Sequence, residues 1–106
     1  MTQKERAFNM LGLAARAGRI ESGEFSTEKA VKTGRGRLVI VAEDASDNTK
    51  KMFTNMCKYY EVPMVVFGTK EELGHWIGKA YRASICILDD GFAKAVLKKM
   101  NLNMEV

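Results

Sequence analysis

Cysteine and histidine are scarce in this chain, and their scarcity excludes two classes of protein. The two cysteines, Cys57 and Cys86, lie in separate apolar stretches, with no Cys-x-x-Cys pair and no Cys/His cluster. A disulfide-rich secreted domain or a structural zinc site needs more cysteine or histidine at closer spacing than this. We therefore predict two buried, reduced thiols, and neither a metal nor a cofactor.

Long apolar runs are also missing. No segment approaches the roughly 20 apolar residues of a membrane span. The charged start, Met1-Thr2-Gln3-Lys4-Glu5-Arg6, lacks the apolar core and cleavage site of a signal peptide. These features predict a cytoplasmic protein without a membrane partner. Its 106 residues contain no linker, repeat or low-complexity segment, so we expect one domain over residues 1–106.

Catalytic residue sets are equally sparse. His75 is the only histidine and has no nucleophile beside it in sequence. Asp89 and Asp90 precede a glycine and a helical pattern, which is typical of helix caps. Asp44 follows a strand pattern, but no neighbouring residues complete a metal set. These absences favour a binding protein over an enzyme, with a small-molecule enzyme using Asp44, Asp89 and His75 as the alternative.

Helical and strand patterns alternate along the chain. Helices are predicted over 3–17, 24–33, 47–60, a segment after the capping box Thr69-x-x-Glu72, and 92–100, and strands over 19–22, 38–42, 64–67 and 84–88. The last three strands are apolar enough to be covered on both faces. The helix 47–60 has a core stripe predicted at Met52, Phe53, Met56, Cys57 and Tyr60. The order predicts an α/β fold, a three-layer α/β/α sandwich with a four-stranded mixed sheet and helices on both faces. Residues 101–106 are expected to fray.

Positive charge is concentrated in residues 16–37, which hold six basic and three acidic residues, whereas the whole chain has a net charge of +4. Within this segment Gly23 precedes a helix, whose first N–H groups and positive dipole end can hold a phosphate. Lys29 and Lys32 place two positively charged side chains further along the same helix. The pattern indicates a phosphate or RNA docking site, and the alternative is a solvated basic helix.

Three motifs resemble one known family. They are Ser26-Thr27-x-Lys29-Ala30-Val31-x-x-Gly34-x-x-Arg37-Leu38-Val39-Ile40-Val41-Ala42, Glu72-Leu73-Gly74-x-x-x-Gly78-Lys79-x-Tyr81-Arg82, and Ile87-Leu88-Asp89-Asp90-Gly91. Together they resemble the kink-turn-binding ribosomal protein family (ribosomal proteins L-seven-Ae and L-thirty-e). The opening Leu11-Gly12-Leu13-Ala14-x-x-Ala17-Gly18 and the run Glu43-Asp44-Ala45-Ser46 are similar to its small bacterial stand-alone branch.

The resemblance implies a non-catalytic, ribosome- or translation-associated protein, monomeric, that binds sharply bent RNA, ribosomal RNA included. Two places would grip the RNA: the turn and start of the second helix, and the loop before the last strand. Lys29 would pair with a phosphate, and Tyr81 would stack on an extruded base. The implied RNA-binding residues are Gly23, Glu24, Phe25, Ser26, Lys29, Lys32, Arg35, Asp44, Lys79, Tyr81 and Arg82.

Two positions depart from the family pattern. Phe25 stands where the family commonly has Asn or Lys, and Asp44 stands where an Asn often helps. Phe25 could stack on a base or pack against apolar neighbours in its loop, and Asp44 adds a negative charge. The same fold also resembles domains of translation termination factors and of RNA methyltransferases. The alternative function is therefore a protein-interaction module of the translation machinery without specific RNA recognition.

Overall fold

Five helices alternate with four strands over residues 1–101, the part of the chain that a computed structural model describes. The elements are α1 (Gln3–Arg16), β1 (Ile20–Ser22), α2 (Glu24–Lys32), β2 (Leu38–Val41), α3 (Asp47–Tyr60), β3 (Met64–Val66), α4 (Lys70–Trp76), β4 (Ser84–Ile87) and α5 (Asp90–Lys99). The order matches the sequence prediction. The predicted fraying at 101–106 concerns residues that, apart from Asn101, lie outside the described ones.

The four strands form one mixed sheet in the order β1-β4-β2-β3. β4 is antiparallel to both β1 and β2, while β2 and β3 are parallel. Ser22 is opposite Ile85, and Val41 is opposite Ser84. The ends of β1, β2 and β3 therefore lie beside the start of β4, along one edge of the sheet that we call the upper rim. The opposite edge, where β4 ends, is the lower rim.

Helices cover both faces of the sheet. α2 packs on β1 and β4, and α3 packs on β2, β3 and α2. α1 contacts α4 and α5, and α5 packs on β4 from the other side. All four residues of β2 and all four of β4 are buried. The predicted three-layer sandwich with helices on both faces is confirmed. No helix among residues 1–101 is both long and apolar enough to cross a membrane.

Side-chain caps fix where several helices begin. Ser46 accepts a hydrogen bond from the Thr49 N–H at 3.1 Å. Thr69 and Glu72 form the predicted capping box, in which the Thr69 N–H donates to Glu72 at 3.0 Å and lowers the pKa of that carboxyl. Asp89 accepts from the Phe92 N–H at 2.9 Å, so α5 begins at Asp90 rather than at residue 92. Each cap supplies a partner for an N–H group that the helix itself leaves unpaired.

Two burial predictions were wrong. The strand β3 is an edge strand that pairs only with β2, so Val66 is 48% exposed rather than covered on both faces. Tyr60 was placed in the core stripe of α3, of which only Phe53 and Cys57 are buried. Tyr60 lies in the last turn, where its ring contacts Tyr59 at 4.9 Å between centroids instead of the sheet. Periodicity gives the direction of a side chain, but not how far the core extends beneath it.

The two thiols are free and buried, as predicted. Burial raises the pKa of Cys57 to about 11 and that of Cys86 to about 12. At pH 8 both groups are therefore protonated as well as inaccessible, and only a thiolate is a strong nucleophile.

We expect both cysteines of the native protein to resist alkylation by iodoacetamide at pH 8. The rate should be roughly 100-fold below that of the urea-unfolded chain, because the folded protein disfavours the thiolate. Mass spectrometry of timed samples counts the modified thiols. Rapid labelling of either cysteine in the native protein would contradict this placement.

Candidate nucleic-acid interface

Two segments that lie about 60 positions apart in sequence meet at the upper rim. The Gly23 N–H donates to the Ser84 carbonyl oxygen at 2.9 Å. The Arg82 Nε donates to the Ser22 hydroxyl at 3.2 Å. The turn into α2 and the loop before β4 thus form one continuous surface, which we call the upper-rim surface.

The start of α2 presents backbone N–H groups at this surface. Gly23 is the N-cap, with φ 92° and ψ 161°, a conformation that residues with a side chain rarely adopt. Gly23 has no side chain with which to cap this helix. The first intrahelical hydrogen bond joins the Thr27 N–H to the Gly23 carbonyl oxygen at 3.0 Å. The N–H groups of Glu24, Phe25 and Ser26 are therefore left for an external acceptor, at the positive end of the helix dipole.

The two segments of the upper-rim surface each carry an exposed aromatic ring. Phe25 is 77% exposed and Tyr81 is 68% exposed. The exposure of Phe25 excludes the possibility that its ring packs against apolar neighbours in the loop. The Lys70 ammonium lies 5.7 Å from the centroid of the Tyr81 ring, which places a cation beside a surface suited to stacking.

A cleft of about 680 Å³ extends from Tyr81 along α4. Its lining consists of Asp44, Lys70, Glu71, Glu72, His75, Trp76, Lys79, Ala80 and Tyr81. Lys79 is exposed at the mouth. The cleft therefore combines apolar rings with charges of both signs along α4 and the loop that carries Tyr81.

Asp44 has a structural partner in this cleft. Its Oδ1 accepts a hydrogen bond from the Lys70 N–H at 2.8 Å, at the first residue of α4. Asp89 caps α5 at the lower rim, across the sheet from Asp44. Of the three residues of the enzyme alternative, Asp44 and His75 both line this cleft, whereas Asp89 lies at the opposite rim, so the three do not form one site. Within residues 1–101, no group of three His, Cys, Asp or Glu side chains could hold a metal ion.

The predicted cations divide into those near the upper-rim surface and those away from it. Lys29 is exposed one turn after Phe25, and no acid within the described chain pairs with it. Lys32 lies about 12 Å along α2 from its first residue, where its Nζ contacts Glu28 at 2.7 Å and its pKa is raised by that bond. Arg35 pairs with Glu21 at 3.7 Å. The structure thus groups Lys29 with the helix start and leaves Lys32 and Arg35 further off.

Sequence reasoning did not assign a role to Gly74. A Cβ at this position would overlap the carbonyl oxygen of Ala80. Only glycine therefore lets the loop that carries Tyr81 lie directly against α4. A glycine inside a helical pattern is a signal of such a close approach.

The sequence profile of the ribosomal protein L7Ae/L30e/S12e/Gadd45 family matches residues 5–98. The chain belongs to this family. Nearly all of the described structure, including both segments of the upper-rim surface, lies within the match.

Two bacterial relatives are similar over most of their length. The RNA-binding protein YlxQ of Bacillus subtilis strain 168 is 39% identical over 94 residues, which cover 89% of this chain and 94% of that protein. The RNA-binding protein YlxQ of Enterococcus faecium is 41% identical over 91 residues, covering 86% of this chain and 87% of that protein. The resemblance to a small bacterial branch agrees with these relatives.

Two solved structures share the fold. A Bacillus halodurans C protein of unknown function superposes with a TM-score of 0.87 at 38% identity, covering 91% of this chain and 97% of that one. The Giardia lamblia 15.5kD RNA binding protein superposes with a TM-score of 0.77, covering 93% of this chain and 85% of that one. At 24% identity the latter supports the fold alone. The arrangement of layers is therefore shared with other proteins of this size.

We expect Gly74→Ala to destabilise the protein by about 1–3 kcal/mol, because the added methyl group must displace the Ala80 backbone. Urea unfolding measures the change, and the amide resonances of residues 79–82 should shift in the native state. His75→Ala, which truncates the exposed next residue of α4, is the matched control and should change stability by less than about 0.5 kcal/mol. A Gly74→Ala protein as stable as the wild type would refute the close approach.

Proposed function

We propose that this chain is a non-catalytic RNA-binding protein, ribosome- or translation-associated, that recognises sharply bent, kink-turn-like RNA. In this proposal it acts in the cytoplasm as a monomer and as a single domain. The observation that carries the proposal is the hydrogen bond between Gly23 and Ser84, which joins the start of α2 to the loop with the exposed Tyr81 ring. The names of the two bacterial relatives, both RNA-binding proteins, support the partner class.

Each part of the upper-rim surface has a role in this proposal. The N–H groups of residues 24–26 donate hydrogen bonds to a phosphate or to an acceptor on a base edge, since a helix start binds anions without further side chains. Lys29 neutralises a phosphate of the same strand. Tyr81 stacks on a base that the bend exposes, because proteins read RNA chiefly through unstacked bases. Arg82 is held by Ser22 and fixes the distance between the two segments.

Lys79 adds charge beside the loop, whereas Lys32 and Arg35 act at longer range because both are already paired with acids. Their contribution is a salt-dependent attraction that does not depend on RNA sequence.

The two departures from the family pattern have different consequences. Phe25 cannot form the base-edge hydrogen bonds of an asparagine, but its exposed ring offers a second stacking surface. The carboxylate of Asp44 is already engaged by the Lys70 N–H, so it contributes to holding α4 in place. Recognition would therefore depend more on stacking and backbone N–H groups than on side-chain amides.

The second candidate function is a protein-interaction module. The large exposed apolar surface of Phe25 favours it, because exposed aromatic side chains are also common anchors in protein interfaces. A module of this kind would bind RNA only through its net positive charge.

A titration with a kink-turn RNA and a straight duplex of equal length, at two salt concentrations, separates the two functions. We expect the bent RNA to be preferred by about 4 kcal/mol, and the preference to persist at the higher salt, because shape-specific contacts are less sensitive to counterions. Equal binding that vanishes with salt would contradict kink-turn recognition and favour the protein-interaction module.

Substitutions should separate charge from stacking within the upper-rim surface. Lys29→Ala is expected to weaken RNA binding and lower the salt slope by about one, since one phosphate contact is lost. Tyr81→Ala should cost about 1–3 kcal/mol with little change in slope. Lys94→Ala is the charge-matched control, because Lys94 is exposed on α5, across the sheet from α2. The site would be refuted by unchanged affinity in both variants, or by an equal effect of Lys94→Ala.

A further inference from the structure

Half of the exposed aromatic rings in residues 1–101 are not used by the upper-rim surface. The exposed rings are Phe25, Tyr59, Tyr60 and Tyr81. Tyr59 is the most exposed of them at 79%, and Tyr60 is 41% exposed. The two tyrosines end α3 and contact each other edge to face, with 4.9 Å between centroids and 78° between planes. In this pair the Tyr60 ring contacts the Tyr59 ring, while most of the Tyr59 ring remains exposed to solvent.

Two lysines share the outer face of α3 with Tyr59. Lys51, Asn55, Lys58 and Tyr59 are all exposed and follow the spacing of one helix face. We call these four residues the α3 stripe. It extends about 12 Å along the helix. That length covers about three phosphates at the 3.4 Å spacing of a stacked strand.

No acidic side chain within residues 1–101 forms a salt bridge with the lysines of the α3 stripe. The only acid in α3 is Asp47, in its first turn. The Lys50 ammonium, by contrast, donates a hydrogen bond to the Glu43 carbonyl oxygen at 2.6 Å, so this cation already has a partner. The stripe therefore offers two free cations and a stacking ring, and no acid.

We infer that the α3 stripe, with Tyr60 beside it, is a second RNA contact that binds a short single-stranded segment flanking the bent element. A basic surface with an exposed ring is the combination that holds single-stranded nucleic acid, because every base has a face to stack and every nucleotide a charge. A protein partner would have to bring acids to both lysines, whereas RNA supplies the negative charge at every step.

The α3 stripe is also connected to the upper-rim surface. α2 packs against α3, and Lys29 and Lys32 lie along α2 between the upper rim and the two tyrosines. A strand that leaves the helix start of α2 can pass Lys29 and then Lys32, which attracts the strand at longer range because Glu28 already pairs with this lysine, on the way to Tyr59. This inference rests on the proposed function, since it extends the RNA footprint from one surface to two.

The test compares a blunt kink-turn RNA with the same RNA carrying a single-stranded tail of about eight uridines, a length within the range that small single-strand-binding folds occupy. Tails at the 5′ and the 3′ end are tested separately by fluorescence anisotropy. We expect one of them to tighten binding by about 5- to 150-fold, the factor that corresponds to one stacked base. A straight duplex with and without the same tail is measured in parallel.

Variants test whether the α3 stripe causes the gain in affinity that the tail provides. Tyr59→Ala should remove most of the gain in affinity from the tail and leave the affinity for the blunt RNA unchanged. Tyr59→Phe, which keeps the ring, should retain the gain. The double substitution Lys51→Gln and Lys58→Gln should lower the salt slope of the tailed RNA by about 1.4, as expected for two contacts with single-stranded phosphates. Lys94→Gln is the control for loss of charge elsewhere.

The outcomes separate this inference from the proposed function. If blunt and tailed RNAs bind equally, or if the gain survives Tyr59→Ala, the second contact is overturned while a kink-turn preference can still stand. If bent and straight RNAs bind equally, kink-turn recognition fails. The α3 stripe is tested separately even then, because the affinity gained from the tail is measured for the kink-turn RNA and for the straight duplex, each against its own form without a tail.

Discussion

The position of β4 between β1 and β2 is the constraint on which the rest of this structure depends. Because β4 runs antiparallel to both neighbours, its first residue lies beside the last residues of β1 and β2. The same pairing buries all four β4 side chains under helices on both faces. One topological choice therefore creates the centre of the core and brings Ser22 and Arg82 within hydrogen-bond distance. Both the hydrophobic core and the candidate site therefore depend on the position of β4.

Backbone geometry, more than side-chain chemistry, shapes the upper-rim surface. Gly23 takes a positive φ and leaves the start of α2 without a side-chain cap. Gly74 lets the following loop touch α4 through its backbone. Glycine is entropically unfavourable at both positions, but it permits a backbone conformation at Gly23 and a close approach at Gly74 that a Cβ would prevent. The shape of such a surface is set by the backbone, which is consistent with the proposed recognition of bent RNA.

The protein's positive charge is divided between cations that are paired and cations that are free. Lys32, Arg35 and Arg37 each have an acidic partner, so much of the basic segment 16–37 is already balanced within the fold. Lys29 and the two lysines of the α3 stripe have no acidic partner in the described part of the chain. Net charge therefore indicates a polyanionic partner, but the distribution of ion pairs decides where on the surface that partner is attracted most strongly.

The sequence by itself determined the alternation of elements, the caps at Ser46, Thr69 and Asp89, two buried thiols and the family, because these depend on neighbours within a few residues or on recurring motifs. It also indicated Gly23, Lys29 and Tyr81. Only the tertiary structure decided that β3 is an edge strand, that Tyr60 is exposed, that Asp44 binds the start of α4, and that Arg35 pairs with Glu21. Those properties depend on which distant residues share a rim or a face, and periodicity along the chain carries no information about such neighbours.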